Sequence, residues 1–392
     1  MKLARYFLLL AGITLLAACG DEDNTEPPAE LVEFDSTHYL HREWSVSTDD
    51  EIGQQFLFIE PLLLSERIVT AGRDGTLNAY RLEDGDELAE IELDIPLSGG
   101  VGGTEDVWLV GSQNGELIAV SGSSNEILWR TPVPSEILAR PVVYNKNTVL
   151  VRTADGQVLG VDIKTGNIEW NYAKTIPALT LRGSSSPILS RSYTYVGLES
   201  GRLIALSPVD GEVAWDIALT VPQGRSEIQR LVDIDGQSEL YGRILYVASY
   251  QGRIAAIDVT RGQFLWARPF STHTGVSVDK DAVYSSDDRS HIWALDRNNG
   301  ATLWKQDKLQ ARDVTLPVIY KDFLVVGDLQ GYIHVMSRFD GRFVARTQVD
   351  PDGILVPPVV DGDRLLVLTR EGDLVAFTIK KSAVYTDEEL FD

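Results

Sequence analysis

The stretch GRIAAIDVTRGQFLW, residues 252–266, decides the fold of this chain. It contains two short apolar runs, separated by a polar turn that carries a glycine, and it closes on a tryptophan. Two β-prone runs joined by such a turn are typical of a β-hairpin. The opening glycine and the closing tryptophan provide two fixed points, fourteen residues apart, by which further copies can be recognised.

On both sides of this stretch the same unit recurs, and it occurs eight times in all. Copies that keep both fixed points are Gly115 to Trp129, Gly156 to Trp170 and Gly201 to Trp215. Weaker copies are Ser290 to Trp304, Gly75 to Ala89, Gly331 to Ala345 and an eighth that opens at Gly372 and ends before its tryptophan position. Self-similarity at a spacing of about 40 residues is typical of repeat architectures in which each copy is one supersecondary unit.

Each copy divides into four short strands. In the third copy we predict strands over residues 141–144, 148–152, 157–162 and 167–172, separated by turns rich in Asn, Asp and Gly. Four strands per repeat, repeated eight times, predict an all-β fold: an eight-bladed β-propeller of four-stranded antiparallel blades. Two packed β-sandwiches are the structural alternative, but they would not repeat eight times in one register.

The tryptophans at the ends of the repeats are predicted to fill the space between neighbouring blades, where a large flat ring buries much area. The eighth copy lacks its tryptophan, and Trp44 is the candidate replacement because residues 41–46 resemble residues 168–172. We therefore expect an N-terminal outer strand to close the ring and leave no open sheet edge. The run Gly99 to Gly103 is predicted to be a flexible inter-strand loop.

The N-terminus has the features of an exported protein. Residues 1–18 combine Lys2 and Arg5, an apolar run too short to span a bilayer, and small residues before Cys19, which is typical of a secretory signal peptide. Residues 16–20 resemble the lipobox of bacterial lipoproteins, which implies lipidation of Cys19, the one cysteine of the chain. We expect residues 19–38 to be a flexible tether, 39–380 the propeller, and 381–392 an acidic tail.

Composition excludes several classes of function. The net charge of −23 argues against nucleic-acid binding, which needs a basic stripe, and against direct adhesion to anionic lipid headgroups. The spacing of the five histidines does not match metal-ligand motifs, and the sequence contains neither a nucleophile elbow nor a P-loop or dinucleotide fingerprint. We therefore predict no catalytic, cofactor or metal site.

The repeat unit of residues 252–266 resembles that of pyrroloquinoline-quinone dehydrogenases, and it is similar also to that of the BamB family, the propeller lipoproteins of the outer-membrane β-barrel assembly machinery. Four stretches carry the likeness to BamB further: residues 179–183 (LTLRG), 227–235 (EIQRLVDID), 327–334 (GDLQGYIH) and 340–345 (DGRFVA). The lipobox, the eight copies and the length also match BamB, and the cysteine motifs of many quinoprotein enzymes are absent from the sequence.

The resemblance implies a non-enzymatic scaffold at the periplasmic face of the outer membrane, which binds the POTRA domains of BamA and assists insertion of outer-membrane proteins. It also implies that the BamA-binding residues are Leu179, Leu181, Arg182, Asp233 and Asp235. We expect the two aspartates to be exposed charges that contribute less than the leucines and the arginine. Direct binding of nascent barrel strands at a blade edge is a further expectation.

Three alternatives remain at this point. The first is that Leu179 and Leu181 cap the propeller core and contact no partner. The second is a quinone-cofactor enzyme, because the repeat is shared with such enzymes. The third is a propeller lipoprotein that binds envelope polysaccharide or peptidoglycan.

Overall fold

The computed structural model describes residues 26–48, 59–174, 177, 179–181 and 185–382. Its strands form eight four-stranded antiparallel sheets, arranged as the blades of a propeller. The signal peptide, Cys19, Arg182 and the acidic tail beyond residue 382 lie outside the described residues. In the described part, the helical structure is one 3₁₀ turn at Ile228–Arg230, and no helix is long and apolar enough to cross a membrane.

The strands are numbered in chain order. Blades I to VIII are numbered in the order in which their inner strands occur along the chain. Blades I to IV are β2 (Leu62–Leu63), β3 (Arg67–Ala71), β4 (Thr76–Arg81), β5 (Glu87–Glu92); β6 (Leu97–Gly103), β7 (Val107–Ser112), β8 (Glu116–Ser121), β9 (Ile127–Pro132); β10 (Val142–Val143), β11 (Thr148–Arg152), β12 (Val158–Asp162), β13 (Ile168–Tyr172); and β14 (Ile188–Leu189), β15 (Thr194–Gly197), β16 (Arg202–Leu206), β17 (Val213–Ala218).

Blades V to VIII follow in the same order. They are β18 (Glu239–Tyr241), β19 (Ile244–Ala248), β20 (Gly252–Asp258), β21 (Gln263–Phe270); β22 (Ser277–Val278), β23 (Ala282–Ser286), β24 (Ile292–Asp296), β25 (Thr302–Gln306); β26 (Val318–Tyr320), β27 (Phe323–Gly327), β28 (Tyr332–Ser337), β29 (Phe343–Gln348); and β30 (Val359–Asp361), β31 (Arg364–Leu368), β32 (Asp373–Lys381) with β1 (His38–Ser47). The eight-bladed propeller predicted from the repeat is confirmed.

The two ends of the chain close the ring in blade VIII. Strand β1 pairs with β32 in antiparallel register, with Trp44 opposite Ala376. The predicted closure by an N-terminal outer strand is therefore correct. Because this pairing gives β32 a neighbour on its outer side, the last blade has the same four strands as the others.

The hydrophobic core lies between neighbouring blades. Val69 and Leu77 of blade I pack in one cluster with Val110 and Ile118 of blade II, and all four are fully buried. Similar clusters join the other pairs, for example Val325 and Val335 of blade VII with Val367 of blade VIII. Apolar side chains on both faces of each sheet are thus buried, which explains the near-continuous apolar runs in the two middle strands of each copy.

The tryptophans of the outer strands make the same two contacts with a turn of the next blade. The tryptophan of an outer strand lies over a glycine in the turn before the next blade's outer strand, and its indole Nε1 donates to a backbone carbonyl there. These trios are Trp44, Gly85 and Leu82 O; Trp129, Gly166 and Ile163 O; Trp170, Gly211 and Pro208 O; Trp215, Gly262 and Val259 O; Trp266, Gly300 and Arg297 O; Trp304, Gly341 and Arg338 O, with N–O distances of 2.8–3.3 Å.

The glycine of each trio is required for two reasons. A Cβ on Gly85 would lie 2.6 Å from the Trp44 ring, which is too close for any side chain. Gly85 also has a φ of +79°, in the region that residues with a Cβ seldom adopt. The turn therefore cannot accept a larger residue at this position without moving away from the indole, to which it is hydrogen-bonded.

The two copies without tryptophan are explained by their neighbours. Ala89 faces the turn in which Asn125, with a φ of +60°, occupies the glycine position. Ala345 faces blade VIII, whose third and outer strands come from opposite ends of the chain and have no turn between them. With no turn to contact, a tryptophan at position 345 would have no partner.

The glycine-rich run at 99–103 corrects the sequence prediction. It is not a loop but most of β6, the inner strand of blade II, and it is largely buried. A Cβ on Gly102 would lie 1.9 Å from the carbonyl oxygen of Pro141, and one on Gly100 would lie 2.7 Å from the backbone nitrogen of Glu60. The glycines therefore serve close backbone packing of adjacent inner strands near the propeller axis.

Part of the predicted tether is also corrected. Residues 26–37, named here the N-terminal strap, lie against blades VI and VII and are not a free tether. The backbone amide of Ala29 donates to Gln310 O at 2.9 Å, and the Phe34 ring packs on Phe343 with centroids 5.5 Å apart. Leu31 adds a contact to the apolar cluster between these blades. The acidic composition suggested solvation, but these spaced apolar residues find buried partners.

Trp44→Ala tests the closure of the ring. Trp44 is half-buried, so we expect the free energy of unfolding to fall by about 2 kcal/mol, below the range for a fully buried tryptophan. Urea titration followed by circular dichroism measures the change, with the exposed neighbour substitution Ser45→Ala as the control. Equal stability of Trp44→Ala and the control would contradict a closing role for this side chain.

Candidate partner-binding site

The predicted site residues lie on two adjacent connections between blades. Leu179 and Leu181 belong to the connection between β13 and β14, whereas Asp233 and Asp235 belong to that between β17 and β18. The backbone amide of Leu181 donates to Oδ2 of Asp233 at 2.5 Å. This hydrogen bond joins the two connections, so the structure brings together residues that are 52 positions apart in sequence.

The two leucines are on the surface. Leu179 is 41% exposed and Leu181 is 39% exposed. The alternative that they cap the propeller core is therefore wrong. Exposed leucines two residues apart on an irregular connection cost solvation free energy without contributing to the core.

The two aspartates are buried, so the expectation that they are exposed charges is wrong. Asp233 is 1% exposed and Asp235 is 8% exposed. The connection folds inward here, because Ile234 between them is fully buried and lies against Gly197 in the apolar cluster between blades IV and V. Three consecutive side chains are therefore buried, and neither carboxyl is exposed to solvent as an alternating in-and-out pattern would require.

A buried ion pair lies close to these carboxyl groups. Arg152 Nη2 donates to Glu199 Oε1 at 2.6 Å, and both side chains are almost fully buried. Arg152 Nη1 donates to Ser185 Oγ at 2.6 Å, and that hydroxyl donates onward to Ile234 O. Arg152 also acts through its charge on Asp233 and Asp235, so one guanidinium stands against three carboxyl groups in this cluster.

Burial changes the protonation of the cluster. Desolvation, together with the nearby Glu199, raises the pKa of Asp233 to about 6. Desolvation and the charge of Asp233 raise the pKa of Asp235 to about 8. Among the described residues, neither Asp235 oxygen has a hydrogen-bond partner. A neutral carboxyl at 235 fits this setting, because an unpaired buried carboxylate is far more costly.

Two further apolar residues are exposed on the second connection. Val221 is 62% exposed and Ile228, on the 3₁₀ turn, is 66% exposed. Val221 lines a cleft of about 270 Å³ together with Gln229, Val232 and Arg253. Neither Val221 nor Ile228 was predicted from the sequence as a site residue. The signal that could have found them is their position in the longest interval between copies, where insertions form loops.

All of these residues share one face of the ring. Consecutive strands of a blade are antiparallel, so the connection from an outer strand to the next inner strand emerges on the same face as the turn between the second and third strands. We call this the connection face, formed by the connections β13–β14, β17–β18 and β25–β26 and the equivalent connections of the other blades. In chemical terms it offers exposed apolar side chains on a rigid support. Groups of three or more metal-ligating side chains were not found among the described residues.

Comparison with known proteins then places the chain. The family model described as outer membrane protein assembly factor BamB matches residues 73–306 and 300–384. The chain belongs to the BamB family. BamB of Pseudomonas aeruginosa is 38% identical over 96% of this chain and 99% of its own length. BamB of Yersinia pestis is 32% identical over 96% of this chain and its full length.

Solved structures agree with the family assignment. The crystal structure of BamB from Moraxella catarrhalis superposes with a TM-score of 0.80 at 26% identity, over 86% of this chain and 99% of that one. A quinohemoprotein alcohol dehydrogenase from Comamonas testosteroni superposes with a TM-score of 0.69 at 13% identity, over 86% of this chain and 76% of its own. The latter likeness shows a shared propeller fold alone.

The raised pKa of Asp235 makes stability depend on pH. The unfolded aspartate ionises near pH 4, whereas the folded one keeps its proton to about pH 8. Its contribution to the free energy of unfolding is therefore full below pH 4 and is lost as pH rises to about 8. The free energy of unfolding should therefore fall between pH 5 and 8.5 in the wild type. In Asp235→Asn, which cannot ionise, this fall should be smaller by about 1–3 kcal/mol.

Urea titrations of both proteins at these two pH values measure the slope, and Asp352→Asn, at an exposed aspartate, is the control. Parallel pH profiles for the wild type and Asp235→Asn would show that Asp235 is ionised in the folded protein and would contradict this assignment.

Proposed function

We propose that this protein is a non-enzymatic scaffold lipoprotein of the outer-membrane β-barrel assembly complex, attached to the membrane through Cys19 at the periplasmic face, and that it binds the POTRA domains of BamA. Support for the complex comes from membership of a family whose members are named outer membrane protein assembly factors. The observation that carries the binding site is the exposure of Leu179 and Leu181 on an anchored connection.

The two kinds of site residue have different roles in this proposal. Leu179 and Leu181, together with Arg182, make contact with the partner. An apolar pair beside an arginine has the composition of a binding hot spot. Asp233 is a positioning residue, because its carboxyl holds the backbone of Leu181 and is itself inaccessible. Asp235 and the Arg152–Glu199 pair keep that support rigid.

Rigid support matters for affinity. A connection that is already held in the binding conformation has less conformational entropy to lose when the partner arrives. The hydrogen bond from Leu181 to Asp233 and the buried ion pair beneath it provide such support. This explains why buried carboxyl groups belong to a site whose contact surface is apolar.

Leu179→Ala combined with Leu181→Ala tests the contact surface. We expect the affinity for purified BamA POTRA domains to fall at least about tenfold, or about 1.4 kcal/mol, because both side chains lose their contact area. The free energy of unfolding should change by less than about 1 kcal/mol, since both residues are exposed. Biolayer interferometry and urea titration on the same samples measure the two quantities.

The matched control is Val209→Ala combined with Phe339→Ala. Both residues are 65% exposed, and both lie in turns before outer strands, on the face opposite the connection face. Equal loss of affinity in the two double variants would remove the site from the connection face. Unchanged affinity in the leucine variant would refute the contact role of these residues.

The Asp233 role is separable from a direct contact. Asp233→Asn keeps an oxygen that can accept from the amide of Leu181, so binding should be largely retained, whereas Asp233→Ala should weaken it. A direct ionic contact with the partner would instead be lost equally in both variants. The same binding measurement distinguishes these outcomes.

Cys19→Ala tests the anchor. We expect the variant to move from the outer-membrane fraction to the soluble periplasmic fraction with an unchanged melting temperature, because Cys19 precedes the propeller. Immunoblotting of fractions and mass spectrometry of the mature N-terminus provide the readouts. A variant that still fractionates with the outer membrane, or a wild type without lipid on Cys19, would contradict the proposal.

A further inference from the structure

The N-terminal strap is held by a buried polar cluster. Arg312 is 2% exposed; its Nε donates to Asp328 Oδ2 at 2.6 Å, and its Nη1 donates to the carbonyl oxygen of Ala29 in the strap at 2.9 Å. Arg346 Nη1 donates in the same way to Val32 O at 2.9 Å. Two arginines, one on the connection β25–β26 and one on β29, thus bind two backbone carbonyls of the strap.

His334 links the two arginines. Arg346 Nε donates to His334 Nδ1 at 3.0 Å, so that nitrogen is an acceptor and the proton of the neutral ring lies on Nε2. Nε2 then donates to Asp328 Oδ2 at 2.8 Å. Burial and the two nearby guanidinium groups lower the pKa of His334, which agrees with a neutral ring.

The cluster makes undocking of the strap costly. Its charges are two guanidinium groups and one carboxylate, so the carbonyl oxygens of Ala29 and Val32 complete the solvation of the excess positive charge. Without the strap these guanidinium hydrogens would lose their acceptors, and buried donors without acceptors are destabilising. Phe34 adds an apolar contact, since its ring lies 5.0 Å below the Arg346 guanidinium and packs on Phe343.

The strap has a defined direction on the ring. Its first described residues lie beside the connection β25–β26, where Gln310 contacts both Glu26 and Ala29. It then follows β29 away from the connection face and ends at Thr37, whose carbonyl oxygen accepts from Ser382 N at the end of β32. Residue 26 is therefore at the connection face, the same face that carries Leu179 and Leu181.

We infer that the N-terminal strap orients the propeller on the membrane, with the connection face turned toward the lipid surface. The inference rests on the proposed function, because it takes Cys19 as the anchor. Six residues lie between Cys19 and Glu26, so the seven residue-to-residue steps span at most about 25 Å. A free tether of residues 19–37 could reach more than about twice as far and would allow either face to approach the membrane.

The partner that fits this surface is a domain that stands close to the same membrane. The strap holds the exposed leucines on the membrane side of the ring, so a periplasmic domain attached to an outer-membrane barrel meets them without reorientation of the propeller. A short reach also raises the effective concentration of the site near the membrane.

The test measures the distance of each face from lipid. The full-length lipidated protein is placed in liposomes that carry a headgroup quencher, and a maleimide fluorophore is attached at Ser226→Cys on the connection face or at Asn299→Cys on the opposite face. Both positions are exposed, and the lipidated Cys19 does not react. We expect stronger quenching at position 226 than at position 299.

Two variants remove the orientation in different ways. Leu31→Ser with Phe34→Ser weakens strap docking, and a long Gly/Ser insertion between Cys19 and Glu26 lengthens the reach without touching the strap. Both should abolish the quenching difference. Glu33→Gln with Asp35→Asn, at exposed strap positions, is the control and should preserve it.

Equal quenching at both positions in the wild type, stronger quenching at 299, or a preserved difference in the insertion variant would overturn the inference. Failure of the proposed function is seen separately, as absence of lipid on Cys19 or absence of BamA binding in detergent. Binding in detergent should be the same for the wild type and the strap variant, because the strap does not form the contact surface.

Discussion

The packing of one indole on one glycine, repeated around the ring, is the interaction on which the rest of this structure depends. Each outer-strand tryptophan lies over a turn glycine of the next blade and donates to a carbonyl of that turn, as Trp266 does to Arg297 O at 2.8 Å. The contact sets the distance and angle between blades. The connections that carry the proposed site, β13–β14 and β17–β18, join blades that are fixed in this way.

The ring also determines what the connections can do. Strand pairing satisfies the backbone of each blade, so the connections β13–β14 and β17–β18 are free to differ from the repeat without loss of the fold. One of them exposes Leu179 and Leu181, and the other buries Asp233 and Asp235 beneath them. The division into exposed apolar side chains and buried carboxyl groups follows from this arrangement.

Much of this could be predicted from the sequence, for physical reasons. The period of the repeat and its glycine and tryptophan positions report local turn geometry and inter-blade packing, which recur in each copy. Closure by Trp44 followed from the same pattern. Gly99 to Gly103 was misassigned because glycine indicates both flexibility and close backbone approach, and only the neighbouring strand distinguishes them.

The burial of Asp233 and the docking of the strap could not be predicted in the same way. Each depends on contacts between segments far apart in sequence, such as Leu181 with Asp233 and Val32 with Arg346. Acidic residues favour solvent on average, and nothing local to Asp233 or to residues 26–37 indicates otherwise. The strap docks because Arg312 and Arg346 offer it buried hydrogen-bond donors. Asp233 is buried because the neighbouring Ile234 packs in the core.

Site-specific photo-crosslinking in intact cells shows directly whether BamA lies against the connection face. With a photoreactive amino acid at position 181, we expect a crosslinked product that contains BamA, and none from position 209 on the opposite face. The absence of a BamA product at position 181, or equal products at 181 and 209, would contradict the proposed site.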